Sequence, residues 1–281
     1  MKASTAFIAL AGLLAAGSAK GQTLLCDSLE PADKARITEL FARLKPYECC
    51  DDTFAKCLAA PKPCPMVVRQ ADSLCRMASY GKEVPKIEEA YLRRKKSMSG
   101  QPPALTFSLD ESARLGEPKA PVTIVVYACT RCPFCRDVIL SLHREVTEDN
   151  LKGIAKVYLR PFPLKSHEGS TEGALALLAA GAQGRMWDYA VYTYKHFDQF
   201  HPSVLADWAS FLKLDKAAFE KAMADDKLRE VLTELKKEGV RNKVEATPML
   251  FIDGRPYSGD MDSSTLVDVV TEEHQRVTAK K

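Results

Sequence analysis

At 281 residues with a formal charge of +3, the chain has material for one or two domains. It lacks the concentrated basic surplus that a nucleic-acid-binding face requires. Its hydrophobic share of 46% is that of an ordinary globular protein able to bury a core.

Lys2 opens a short positive start, Ala6–Gly17 is apolar, and small residues follow, with a cut expected after Ala19 or Gly21. This pattern predicts a signal peptide over 1–21, because the run is shorter than the roughly 20 apolar residues that span a bilayer. A chain starting at Gln22 carries +1, since 1–21 hold Lys2 and Lys20 and no acid. Leu25 before Cys26 is too large for a lipoprotein processing site. The chain has nine cysteines, six between Cys26 and Cys75 and three between Cys129 and Cys135. In an exported chain such numbers point to disulfides, and an odd count leaves at least one thiol unpaired.

Over residues 22–96 the apolar spacing is helical. Ile37, Leu40, Phe41 and Leu44 form one stripe behind Pro31, and Val67, Ala71, Leu74, Cys75 and Ala78 form a second that Gly81 can end. A third, from about Val84 to Lys96, turns Ile87 and Tyr91 inward, with Arg93–Lys96 as a solvated end. This is a small cysteine-rich all-α domain, and so small a core benefits from cross-links. Its six cysteines allow 15 pairings, of which only the adjacent Cys49–Cys50 bridge is disfavoured by geometry. The Ser-, Gly- and Pro-containing stretch 97–104 is the expected linker.

From 105 onward the pattern becomes α/β. Thr106–Leu109 reads as a strand, and Val122–Tyr127 as a buried strand. A helix follows over 133–146, then a strand over 156–160. A helical insertion extends over about 165–240. Met249–Ile252 and Arg255–Ser258 form a hairpin about Asp253-Gly254. A closing helix is capped within Asp262–Ser264.

The chemistry concentrates at Cys132-Pro133-Phe134-Cys135, directly after the buried strand and opening a helix. Two intervening residues on a first helical turn bring the sulfurs within bridging reach. The helix N-terminus offers unpaired N–H groups and partial positive charge to a thiolate on Cys132, and the thiolate is the nucleophile. Pro133 suits the first helical position. Cys135, a turn deeper, is the expected resolving thiol. Arg131 and Arg136 flank the pair, and a guanidinium near Cys132 would lower its pKa further. Thr247-Pro248 precedes a strand, where a cis bond facing the pair would offer the Thr247 backbone to a substrate peptide. Cys129 reads as a small buried hydrophobe, with an accessory thiol as the alternative. His143, His167, His196 and His201 read as surface or cleft residues, and no metal site or cofactor is expected.

On the segments 115–127 (LGEPKAPVTIVVY), 132–135 (CPFC), 158–164 (YLRPFPL) and 245–259 (EATPMLFIDGRPYSG), the chain resembles the DsbA-like branch of the thioredoxin superfamily from about residue 114 to its end. The resemblance implies a thioredoxin-like fold with a helical insertion, a nucleophilic Cys132, a resolving Cys135 and a cis Pro248 beside Thr247. Three departures stand out. Phe134 replaces the histidine of the strongest periplasmic oxidants, Cys129 makes a second, overlapping CxxC, and the strand 122–127 carries no acid. Residues 63–93 also faintly resemble the thiol domain of the cytochrome c maturation protein CcmH, without its CxxC. The expected function is periplasmic disulfide exchange, oxidase direction favoured. The partners would be cysteine-containing exported proteins and a membrane redox partner for recycling. The alternatives are a reductase, an isomerase made dimeric by the N-terminal domain, or a thiol module that binds metal or a partner; oligomeric state is left open.

Overall fold

The computed structural model describes residues 24–99 and 103–279. The expected leader over 1–21 lies outside the described residues. The chain divides between Cys75 and Arg76 into two compact units.

The first unit contains α1 (Leu24–Asp27), α2 (Pro31–Arg43), α3 (Phe54–Leu58) and most of α4 (Pro65–Ser79). Ile37, Leu40, Leu44, Val67, Ala71, Leu74, Cys75 and Ala78 are buried and Phe41 is half-buried, so the helical spacing did mark the inward faces. Gln70 is fully buried and satisfied by one backbone position: its amide donates to the Tyr47 carbonyl at 3.0 Å and accepts from the Tyr47 N–H at 3.2 Å. Disulfides join Cys26 to Cys75, Cys49 to Cys64 and Cys50 to Cys57. Cys26–Cys75 closes a separation of 49 residues, the type of link that most restricts an unfolded chain.

The second unit starts before the expected linker. Its first complete helix, α5 (Val84–Ser99), runs into the 97–104 stretch. Arg94, 3% exposed, pairs at 2.7 Å with the fully buried Glu272 and lies 3.8 Å from Asp268. Arg93 and Lys82 each reach Asp260 at 2.8 Å. These ion pairs tie α5 to the C-terminal part of the chain, which is why the division falls at 75/76 rather than at 97–104. They also correct the reading of Arg93–Lys96 as a solvated end, since one of its charges is buried and paired.

The second unit continues with β1 (Arg114–Leu115), β2 (Val122–Ala128), α6 (Pro133–Thr147) and β3 (Ala155–Pro161). The helices α7 (Ser170–Ala182), α8 (Met186–Lys195), α9 (Leu205–Phe211), α10 (Lys216–Ala224) and α11 (Asp226–Arg241) follow. They form the expected insertion, after which come β4 (Met249–Ile252), β5 (Arg255–Tyr257) and α12 (Ser263–Ala279). The sheet order is β1-β3-β2-β4-β5, with β2 and β3 parallel and the other neighbours antiparallel. Thr106–Leu109, expected as a strand, is irregular. Phe107 packs on Phe251 and Tyr127 and the Ser108 carbonyl accepts from the Arg160 guanidinium, so side chains rather than a ladder hold the segment. The edge strand is Arg114–Leu115 instead.

Central β2 is apolar along its length because both its faces are covered. Val125 and Tyr127 join Tyr158, Phe162, Val244 and Phe251 in one cluster, while Ile124 and Val126 are fully buried on the other face. Gly239 of α11 lies against Phe162 and Tyr127, where a Cβ would fall 2.6 Å from the Phe162 ring. The Asp253-Gly254 turn has positive φ at both residues (44° and 79°), as a primed hairpin turn requires. The Asp262 carboxylate accepts from Thr265 N at 3.0 Å and caps α12.

Candidate active site

β2 ends at Ala128 and the chain turns at once. Cys132 N donates to Cys129 O at 3.0 Å, closing a four-residue turn, and Cys135 N donates to Cys132 O at 3.1 Å. Cys132 is the N-cap residue of α6, in extended conformation, and Pro133 takes the first helical position. Cys132 is 3% exposed and Cys135 is fully buried, whereas Phe134 between them is 73% exposed. The nucleophile expected at the helix start is therefore largely covered. The residues 245–248 bring their backbone over Cys132, whose thiol donates to the Thr247 carbonyl at 3.2 Å. The Thr247-Pro248 bond is cis. Beside the pair, Phe134, Val138, Pro248, Gly259 and Met261 line a groove.

Hydrogen bonds drive the Cys132 thiol down to about 5. The leading cause is the Cys135 thiol donating to the Cys132 sulfur, and the Cys135 backbone N–H adds to it against an opposing cost of burial. Cys135 moves the other way: burial first, then the neighbouring sulfur, raise its pKa. The pair thus separates into a ready thiolate and a retained thiol, the division of labour that acid–base pairs at reactive sites show.

Neither flanking arginine is among the leading causes at Cys132, which corrects the expectation of direct charge tuning. Arg131 donates to Phe197 O at 3.0 Å and sits over the rings of Phe197 and Phe200, at 5.1 and 4.9 Å from their centroids. Arg136 lies 3.6 Å from Asp198. Both guanidinium groups fasten the active-site turn to the helical insertion. Gly173 of α7 adds to that fastening, because a Cβ there would meet Thr130 and, at 2.9 Å, Phe200. The Tyr194 hydroxyl donates to Cys129 O at 3.1 Å.

Cys129 is 1% exposed. Its Sγ lies 3.4 Å from Nδ1 of the half-buried His167. Its own N–H points at Cys135 Sγ at 3.4 Å. Burial raises the Cys129 thiol pKa. Spacing alone did not reveal His167, Tyr194 or Gly173. One usable signal existed: β2 and β3 are adjacent parallel strands, so the loops at their carboxyl ends must face one another. Those loops carry Cys129–Cys135 and His167. Among the described residues no group of three or more His, Cys, Asp or Glu side chains is placed to hold a metal.

Residues 108–272 match the family model described as thioredoxin. The chain belongs to the thioredoxin family. Its fold is that of DsbA-like thiol–disulfide oxidoreductases. Alpha-DsbA1 of Wolbachia pipientis superposes with a TM-score of 0.52 at 18% identity, over 60% of this chain and 93% of that one. BdbD of Bacillus subtilis gives 0.52 at 18%, over 58% and 92%. The thiol–disulfide exchange protein alpha-DsbA2 of Wolbachia pipientis gives 0.52 at 17%, over 73% and 97%. Among curated sequences, the Na(+)/H(+) antiporter NhaA 1 of Mycolicibacterium gilvum is 28% identical over 155 residues, 54% of this chain and 25% of that protein. Its counterpart in Salinispora arenicola is 29% identical over 157 residues, 56% and 24%. The chain thus spans about a quarter of the length of the curated relatives it matches. Among the described residues of this chain, no helix is long and apolar enough to cross a membrane.

Proposed function

We propose that this chain is a periplasmic thiol–disulfide oxidoreductase acting on cysteine-containing exported proteins, with Cys132 as nucleophile and Cys135 as resolving thiol. The observation that carries this reading is the placement of the pair, with Cys132 capping the start of α6 against the cis Thr247-Pro248 backbone and Cys135 fully buried one turn on. In the oxidising direction a substrate thiolate attacks Cys132 of the Cys132–Cys135 disulfide and Cys135 leaves as a thiol. A second substrate thiol then displaces Cys132 as a thiolate. A stable thiolate on Cys132 is a good leaving group and stabilises the reduced enzyme, so the oxidase direction is favoured. A membrane redox partner accepts the two electrons and restores the disulfide.

The Thr247 backbone beside Cys132 serves as the pairing edge for a substrate segment. The groove lined by Phe134, Pro248 and Met261 receives its side chains and gives access to the otherwise covered sulfur. The experiment is oxidative refolding of a reduced, unfolded substrate protein with catalytic amounts of the chain in a glutathione buffer. Cys132→Ser is expected to abolish turnover. Wild-type turnover by Cys132→Ser would remove the proposal.

A further inference from the structure

We infer that Cys129 is a second resolving thiol for Cys132, activated by His167, so that the site has an alternative oxidised state, a Cys129–Cys132 disulfide. The inference rests on the reading of Cys132 as nucleophile and adds a residue to it. Two independent features of the fold support it.

The first is reach. The hydrogen bond from Cys132 N to Cys129 O, 3.0 Å, makes 129–132 a β-turn, whose end Cα atoms lie within about 7 Å. Disulfides span Cα separations of about 4.4–6.8 Å. Cys129 therefore stands to Cys132 as Cys132 stands to Cys135, with two residues between them on a tight turn. The second is a base. His167 Nδ1 lies 3.4 Å from Cys129 Sγ, and imidazole is the commonest side chain for moving a proton off a nucleophile. Burial keeps Cys129 protonated at rest, so its sulfur needs that base before it can attack. A cysteine present only to fill space needs no base beside it.

The step starts from a mixed disulfide between Cys132 and a protein substrate. The Cys129 thiol gives its proton to His167 Nδ1. The Cys129 sulfur then attacks Cys132 Sγ. The Cys129–Cys132 bond forms, the Cys132–substrate bond breaks, and the electron pair leaves on the substrate sulfur, which takes a proton from the imidazolium. The substrate sulfur is reduced as the Cys129–Cys132 pair is oxidised. Attack of Cys135 on Cys132 then transfers the disulfide to Cys132–Cys135 and returns Cys129 as a thiol, with no net redox change. The nucleophile thus has two exits from a trapped intermediate, one on each side of it in sequence.

The test uses the full chain carrying Cys135→Ser, treated with glutathione disulfide, alkylated and mapped by peptide mass spectrometry. The expected product is a Cys129–Cys132 disulfide with little glutathione on Cys132. In Cys129→Ser/Cys135→Ser the glutathione adduct on Cys132 is expected to persist. A persistent adduct with freely alkylated Cys129 in the Cys135→Ser chain overturns the inference and leaves Cys132 as nucleophile. No disulfide at Cys132 in either variant overturns both readings. Cys135→Ala, read in the same way, covers the case in which the serine variant does not fold. In the Cys135→Ser background, His167→Ala is expected to slow Cys129–Cys132 formation by on the order of 10²-fold; an unchanged rate removes His167 from the step.

Discussion

Replacing Cys135 by alanine tests what makes Cys132 acidic. In the native site the thiol falls from the ordinary 9.0 to about 5, and the Cys135 thiol is the leading cause. At about 1.4 kcal/mol per tenfold change, the full displacement favours the thiolate by on the order of 5 kcal/mol. The sign follows from a depressed pKa. The reduced fold gains nothing below pH about 5 and gains progressively between there and 9.0, with the full effect above. At pH 7 the gain is two tenfold steps, about 3 kcal/mol. For a two-electron couple that raises the potential by roughly 60 mV, towards a better oxidant. A hydrogen bond to a charged group is worth about 1.5–3 kcal/mol. Cys135→Ala should therefore raise the Cys132 inflection by roughly one to two pH units. The assay is the pH dependence of iodoacetamide alkylation of the fully reduced chain, with the modified residue identified by peptide mass. An inflection in Cys135→Ala that stays at the wild-type position would refute the assignment of the thiol donor.

Three other substitutions separate charge, packing and burial. Arg131→Ala releases the turn from Phe197 and Phe200, so any rise in its alkylation inflection should be independent of salt, and raising salt should not shift the wild-type inflection, because the site is tuned by fixed dipoles; a wild-type inflection that climbs with salt would restore the guanidinium as the tuning charge. Gly173→Ala puts a Cβ against Thr130 and Phe200; the expected cost is about 1–3 kcal/mol by overpacking, read in urea unfolding, with slower alkylation of Cys132, and unaltered stability would mean that α7 and the turn are not held at that distance. Arg94→Met breaks the ion pair to buried Glu272, with an expected loss of about 3–5 kcal/mol; a loss under about 1 kcal/mol would show that the ion pair does not hold α5 in place.

What the sequence disclosed and what it withheld follow a physical division. Val122–Ala128, Pro133–Thr147 and Met249–Ile252 were legible because buried strands and amphipathic helices are written in local spacing. The cysteine pair was legible because Pro133 and the preceding apolar run fix its place at a helix start. Arg94 was misread because a charged residue on a helix gives no sign of its partner. Glu272 lies 178 positions away, and only the fold brings the two together. Thr106–Leu109 has the composition of a strand, but the edge of β3 beside it is taken by Arg114–Leu115. His167 lay in a loop whose importance depends on strand order, which hydrophobic spacing does not encode.

The helical insertion has a structural task that the sheet alone could not perform. An N-terminal turn of α6 exposes donors to whatever sulfur sits there, but a dipole stabilises a thiolate only while its direction is held. In this chain the turn 129–132 is held from outside: Tyr194 grips the Cys129 carbonyl, Phe197 and Phe200 take the Arg131 guanidinium, and Gly173 lets α7 close on Thr130. The two positive charges that flank the pair in sequence are thereby spent on positioning, and the thiolate is left to N–H and S–H dipoles. Fixed dipoles need no reorganisation when charge appears on the sulfur, and a covered site is screened little by salt. The insertion and the acidity of Cys132 are for that reason one feature: loosening the insertion should cost reactivity at the sulfur even where no residue touching that sulfur has changed.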